Sequence, residues 1–171
     1  MTLQDYDPLV LSERLADALA TPGQPVPTFQ TADQIAAEYL GHRLFTILAF
    51  RAEAGEVERI YSSRPAEYPL LGRKKMGPTP WGDVVLKGGK PWFGASADDI
   101  RWAFPDHELI LSLGCETILN APVRFDGRTL GVISVLDAPQ AYDASDLALV
   151  QFLAPALVPA LLHSDSTHQE T

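Results

Sequence analysis

The sequence predicts an α+β domain built on a largely antiparallel sheet. Three observations carry that expectation. Strand-like segments cluster in sequence while helical ones flank them, rather than alternating one for one. Two long apolar strands, Glu116 to Val123 and Thr129 to Leu136, meet at Phe125-Asp126-Gly127-Arg128, and Asp-Gly is a hairpin turn. At 171 residues with 46% hydrophobic and 20% charged side chains, the chain has the composition of one ordinary globular domain.

Each element has a local reason. Asp7 to Ala20 places Leu11, Leu15, Ala18 and Leu19 at helical spacing. The prolines of Thr21-Pro22-Gly23-Gln24-Pro25-Val26-Pro27 then favour an extended linker. A second helix is expected from Thr31, with Gln34 as its reciprocal cap, to Gly41. Leu44 to Phe50 and Glu56 to Ser63 read as strands joined around Glu53-Ala54-Gly55, the second alternating Val57, Arg59 and Tyr61 against Glu58, Ile60 and Ser62. Arg64 to Pro78 shows no regular pattern and reads as a long loop of the kind that serves as a lid or binding loop. Thr79-Pro80-Trp81 starts a helix that closes at Gly88-Gly89. After extended Pro91-Trp92-Phe93, Ser96 and Asp99 cap a helix ending at Phe104-Pro105. Asp106 caps another, to Leu113 and Gly114. Finally Asp143, reciprocated by Asp146, opens a helix to about Pro155, where the prolines predict a kink or stop near Ala154. The boundaries that follow are residues 1–28 for an N-terminal helix and linker, 29–163 for the domain, and 164–171 for a disordered polar tail.

Charge excludes some functions and localises others. The net charge is −9, and so acidic a surface repels phosphate backbones and anionic lipid, so nucleic-acid and membrane partners are not expected. The total is uneven: Arg64 to Arg101 holds seven cations against four anions, net +3, while the rest of the chain is −12. The same neighbourhood holds all three tryptophans, Trp81, Trp92 and Trp102. Cys115 is the only cysteine, so no intramolecular disulfide forms. The N-terminus lacks the basic and apolar regions of a signal peptide, and the apolar run Leu147 to Leu162 is shorter than a span, which together point to the cytoplasm. His42, His107, His163 and His168 show no ligand spacing, so neither a metal nor a cofactor is expected.

The strand pair Gly114-Cys115-Glu116-Thr117-Ile118-Leu119-Asn120-Ala121-Pro122-Val123 and Asp126-Gly127-Arg128-Thr129-Leu130-Gly131-Val132-Ile133-Ser134-Val135-Leu136 resembles the core of the GAF domain family, as does the acidic entry Tyr142-Asp143-Ala144-Ser145-Asp146-Leu147 into the closing helix. The resemblance covers roughly Phe29 to Leu162. It implies a small-molecule-sensing fold with terminal helices on one face of the sheet, short helices and loops forming a pocket on the other, and dimerisation through the terminal helices. Alternation then directs Leu119, Ala121, Ile133 and Val135 to the helices, and Ile118, Asn120, Val132, Ser134 and Leu136 to the pocket.

Candidate ligand contacts are Asn120 and Ser134, polar groups in apolar strands that need partners, whether from the protein or from a ligand. Arg64 and Arg73 suit an anion, assisted by a helix N-terminus at Thr79. Tyr61, Tyr68, Trp81, Trp92, Phe93 and Trp102 supply apolar walls. For Arg64 and Trp81, pocket and core readings both stay open. Lys74 and Lys75 read as solvated. The leading expectation is a non-enzymatic sensor for a small anionic organic ligand, without an output domain of its own and needing a separate signalling partner. The alternatives are a dimerisation module whose pocket is filled by its own side chains, and an enzyme like free methionine-(R)-sulfoxide reductase, a GAF-fold enzyme that uses several cysteines where this chain has one.

Overall fold

The computed structural model describes residues 6–169. Its centre is a six-stranded sheet of β1 (Leu44–Arg51), β2 (Glu56–Ser62), β3 (Leu71–Lys75), β4 (Trp92–Gly94), β5 (Thr117–Phe125) and β6 (Arg128–Asp137), in the order β3-β2-β1-β6-β5-β4 with every pairing antiparallel. The α+β expectation therefore holds.

One face carries α1 (Pro8–Ala20), α2 (Val26–Tyr39), α6 (Leu147–Leu153) and α7 (Val158–Gln169). Phe45, Ile47, Leu119, Ala121, Ile133 and Val135 reach this layer from the strands and meet Leu11, Leu15, Phe29, Ile35, Leu153 and Leu157 from the helices. Burying each such leucine or isoleucine stabilises the fold by about 1.5–3 kcal/mol, so this layer is the main core. The opposite face is covered by α3 (Pro80–Gly82), which continues as a π-turn over Asp83–Lys87, by α4 (Ala97–Ala103) and by α5 (His107–Ser112). Here Leu44, Ile118 and Leu136 pack with Tyr68, Ile100 and Ile110, while Val57 and Val132 pack with Trp81, Val85 and Leu86. The facing of β5 and β6 read from alternation is thus correct at every position named.

Several local expectations are met by the expected chemistry. The helix expected over Asp7 to Ala20 is α1, and Asp7 turns out to cap it, its carboxylate accepting from Leu9 N at 2.9 Å. Asp143 and Asp146 form the reciprocal cap: Asp143 N donates to Asp146 Oδ2 at 2.9 Å, and Ser145 N donates to Asp143 Oδ1 at 2.7 Å. Near Ala154 the α-helical ladder gives way to a 3₁₀ turn, Ala154–Leu157, because Pro155 cannot donate; the helix then resumes.

Four expectations are corrected. The supposed extended linker is a tight turn over residues 21–25, because the Gln24 amide donates to Ala18 O at 2.7 Å and Thr21 O at 2.9 Å while its oxygen accepts from Thr28 Oγ1 at 2.6 Å. Consequently α2 starts at Val26, and Thr31 lies inside it. Within the supposed long loop, Leu71–Lys75 forms the edge strand β3, with all five residues exposed. The segment read as a disordered tail is helical as far as Gln169; residues 1–5 and 170–171 lie outside the described residues. The helical run Ala144–Thr167, 24 residues, is long and apolar enough to cross a membrane by length and composition, yet Leu149, Leu153, Leu157 and Leu161 along it are core residues of the sheet.

Candidate functional site

Strand β2 decides what faces the cavity. Its pairing with β1 runs Leu48↔Arg59 and then Ile47↔Tyr61, so Ile60 is an extra residue, a β-bulge. Before the bulge, Val57 and Arg59 point to the face of α3–α5. After it the parity is reversed, and Tyr61 packs edge-on against Phe29 and Phe45 in the main core, donating its hydroxyl to Asp33 Oδ2 at 2.7 Å. Tyr61, expected in the pocket, is therefore on the other side of the sheet.

Arg59 is 8% exposed. Its guanidinium donates to Pro69 O at 2.6 Å and to Asp106 Oδ2 at 3.1 Å, and its central carbon lies 3.6 Å from the centroid of the Tyr68 ring. The Tyr68 hydroxyl donates to the same Asp106 oxygen at 2.6 Å. Burial and the Asp106 charge hold the Tyr68 phenol protonated well above its ordinary range. Asp106 makes no side-chain cap to α5; its carboxylate has turned to these two donors instead.

A second polar line crosses the floor. Trp81, 2% exposed, donates its indole N–H to Asn120 Oδ1 at 2.9 Å, and Asn120 Nδ2 donates to Ser134 Oγ at 2.8 Å. Between the two groups lies a cavity of about 210 Å³. Leu48, Val57, Met76, Trp81 and Phe104 line it with apolar surface; Thr46 and Ser134 lie on its floor; Arg59, Tyr68 and Asp106 form one wall; Lys74 and Lys75 stand at its rim. Lys75 reaches Ala54 O at 2.6 Å and Glu56 at 3.6 Å, whereas Lys74 has no ion-pair partner among the described residues.

Of the residues expected at the site, Tyr68, Trp81 and Ser134 line the cavity, and Asn120 lies directly beneath it. The others stand elsewhere. Arg64 pairs with Glu67 at 3.3 Å on the surface. Arg73 pairs loosely with Glu58 at 3.8 Å and borders a different depression of about 310 Å³, beside Arg51, Arg128 and Asp165. Arg51 is itself held between Glu58 and Asp165, both at 3.0 Å, tying the sheet to α7. Phe93 opposes Leu119 and so packs into the helix layer, because only its neighbour Trp92 opposes Asn120. Trp92 is a partly buried core residue, and Trp102 stacks on it at 5.6 Å while 48% exposed. At the helix start, Thr79 Oγ1 accepts from Gly82 N at 2.9 Å, Asp83 N donates to Thr79 O at 3.0 Å and Pro80 carries no N–H, so most of the first-turn donors expected to assist an anion are already used or absent. Missed by the sequence reading were Arg59, Asp106, Thr46, Met76 and Phe104 as cavity walls, and both rim lysines. An arginine alternating with Val57 in a half-buried strand was the available signal for Arg59.

Cys115 is fully buried beside Leu44 and Ile118. Burial first, then the Asp137 charge, push its thiol up to about 11, against the pull of Arg43 and Arg64, so at neutral pH it is not a thiolate nucleophile. No group of three or more His, Cys, Asp or Glu side chains suited to a metal occurs among the described residues.

A sequence profile of the GAF domain family matches residues 28–161. The chain belongs to that family. Curated protein sequences offer no match. Among solved structures, the GAF domain is similar to that of a phosphoenolpyruvate-protein phosphotransferase from Coxiella burnetii, at 15% identity and a TM-score of 0.70 over 95% of this chain and 96% of that one. The corresponding Acinetobacter domain gives 14% identity and a TM-score of 0.71 over 97% of both chains. Free methionine-R-sulfoxide reductase from Neisseria meningitidis, solved with its substrate, gives 20% identity and a TM-score of 0.66 over 92% of this chain and 89% of that one. At such identities the likeness is one of fold. GAF domains are regulatory sensor domains, some of which bind small ligands.

Proposed function

We propose that this GAF domain is a sensor that binds a small organic anion in the cavity between the sheet and the segment Arg64–Leu113. The observation that carries the reading is the charge of an otherwise apolar cavity: Arg59, Lys74 and Lys75 stand around it against the single carboxylate Asp106, and Lys74 lacks an ion-pair partner among the described residues. Few polar groups set in a largely apolar lining is the usual constitution of a small-molecule site. The buried thiol of Cys115 weighs against a reductase reading. Exposed apolar side chains on the terminal helices, Leu9 at 69% and Val10 at 47%, support a homodimer through that layer.

Native mass spectrometry of freshly purified protein, followed by calorimetry with a panel of organic monocarboxylates, dicarboxylates and phosphate monoesters, tests the reading. At least one class binds, and Lys74→Glu weakens it tenfold or more, equivalent to about 1.4 kcal/mol. No retained mass and no binding of any anion would sink the proposal.

A further inference from the structure

The hydrogen bonds beneath the cavity run in one direction only. An indole N–H can donate but never accept, so Trp81 fixes which way the Asn120 amide faces: its oxygen toward the indole at 2.9 Å, its NH₂ toward Ser134. The Asn120 amide then donates to Ser134 Oγ at 2.8 Å, which uses a lone pair of that oxygen. The Ser134 hydrogen is left over, and among the described residues no acceptor receives it. Thr46 is its direct partner across β1 and β6, lies on the same face, and likewise donates to nothing among the described residues. The floor thus presents two adjacent hydroxyl donors, one with its polarity set from below, in a site whose other walls are mostly apolar. Ser134 is only half-buried and both hydroxyls open onto the cavity, where water can accept from them; an occupant that displaces that water must bring an acceptor of its own to keep those bonds.

Lys74, the rim cation without an ion-pair partner among the described residues, is far from this floor, and the nearer Arg59, opposite Leu48 on β1, is already committed to Pro69 O and Asp106. Lys74 pairs with Val57 on β2, Val57 pairs with Phe50 on β1, and Thr46 lies four residues along β1 from Phe50. With strands about 4.8 Å apart and a rise of about 3.3 Å per residue, Lys74 and Thr46 are separated by roughly 10 Å across the sheet and 13 Å along it. One oxyanion cannot engage both. A charge placed at the floor would find hydroxyls and an arginine already paired with Asp106, whereas a charge at the rim meets Lys74.

We propose that the ligand is bipolar: its anionic group lies at the Lys74 rim and an uncharged oxygen acceptor, a ketone or other carbonyl, lies on the Ser134 and Thr46 hydroxyls, with an apolar chain between. This rests on the anion-binding reading above and specifies the other end of the molecule. At about 210 Å³ the cavity holds about seven water-sized groups, which sets the scale of the occupant.

The probes are straight-chain acids of six, seven and eight carbons bearing a ketone on the penultimate carbon, each compared by calorimetry with the unsubstituted acid of the same length. In the parent protein the keto acid of the fitting length binds at least tenfold tighter than its plain counterpart. Ser134→Ala brings that ratio to near one by weakening the keto acid while leaving the plain acid unchanged. Asn120→Asp provides a second variant, because its carboxylate would accept the Ser134 hydrogen and turn lone pairs toward the cavity. The keto preference is lost there too. A ratio near one or below in the parent, or a preference retained in a folded variant, overturns the bipolar assignment while leaving the anion reading intact. Binding of neither series removes both.

Discussion

Arg59→Met is the most informative single change, because it removes one charge from a group that three others depend on. The methionine keeps most of the aliphatic contact, so the loss is electrostatic. The bond to Pro69 O, at 2.6 Å from a guanidinium that is 8% exposed, belongs to the charge-assisted class worth about 1.5–3 kcal/mol. Stacking on Tyr68 at 3.6 Å adds about 0.5–2 kcal/mol in a desolvated setting. The pair with Asp106 contributes less, about 1 kcal/mol or under, since that carboxylate is 32% exposed and keeps the Tyr68 hydroxyl as a donor. The contributions overlap, and a loss of about 3 kcal/mol is expected. For a chain of this length that lowers Tm by about 6–12 °C. Guanidinium denaturation followed by tryptophan fluorescence measures it, with the slope unchanged if only stability alters. Asp106→Asn alone costs about 1–2 kcal/mol, and the double variant falls short of the sum of the two. A loss below about 1 kcal/mol for Arg59→Met would show that the arginine is solvated in solution and refute the cavity wall described here.

Cys115 resists thiol reagents at pH 8 in the native state and reacts on unfolding. Its thiol is raised from about 9.0 to about 11 by burial, so the folded state favours the neutral form; the stability this contributes is complete below pH 9 and is lost as pH rises toward 11, which denaturation at stepped alkaline pH measures. Tyr61 and Tyr68 shift in the same direction and steepen the loss at still higher pH. Gly131→Ala would drive a methyl carbon into the Leu48 carbonyl oxygen, a backbone atom in the middle of the sheet, so β1 and β6 must part at a cost of about 1–3 kcal/mol; an unchanged midpoint would show that the strands are less closely apposed. Asp165→Ala removes one of the two carboxylates holding Arg51, but that aspartate is 40% exposed, so global stability falls by no more than about 1 kcal/mol while hydrogen exchange in α7 accelerates.

What the sequence made legible was mostly what local chemistry decides. The reciprocal cap at Asp143 and Asp146 and the facing of β5 and β6 depend on neighbours a few residues away and on strict alternation, and they are found where expected. Asn120 and Ser134 were legible as a pair for the same reason. Tyr61 was not, because one extra residue, Ile60, reverses parity midway along β2 and no local composition marks a bulge. Strand β3 was hidden because LGRKK has neither alternation nor β-branched residues; it is a strand by virtue of pairing with β2, and its charges suit an edge. Asp106 looked like a helix cap because caps and ion-pair partners use the same side chain. Only the tertiary approach of Arg59 and Tyr68 decides between them.

The helix layer and the cavity share a single sheet as their partition. Neighbouring residues of β6 serve opposite tenants: Ser134 on the cavity floor, Ile133 and Val135 among the helices. Tyr6, just ahead of α1, touches Phe152 of α6, their rings 6.1 Å apart, so the chain entering the first helix meets α6 on the side away from the cavity. The partition is one residue thick: any displacement of β6 at Ser134 is also a displacement of Ile133 and Val135 within the helix layer.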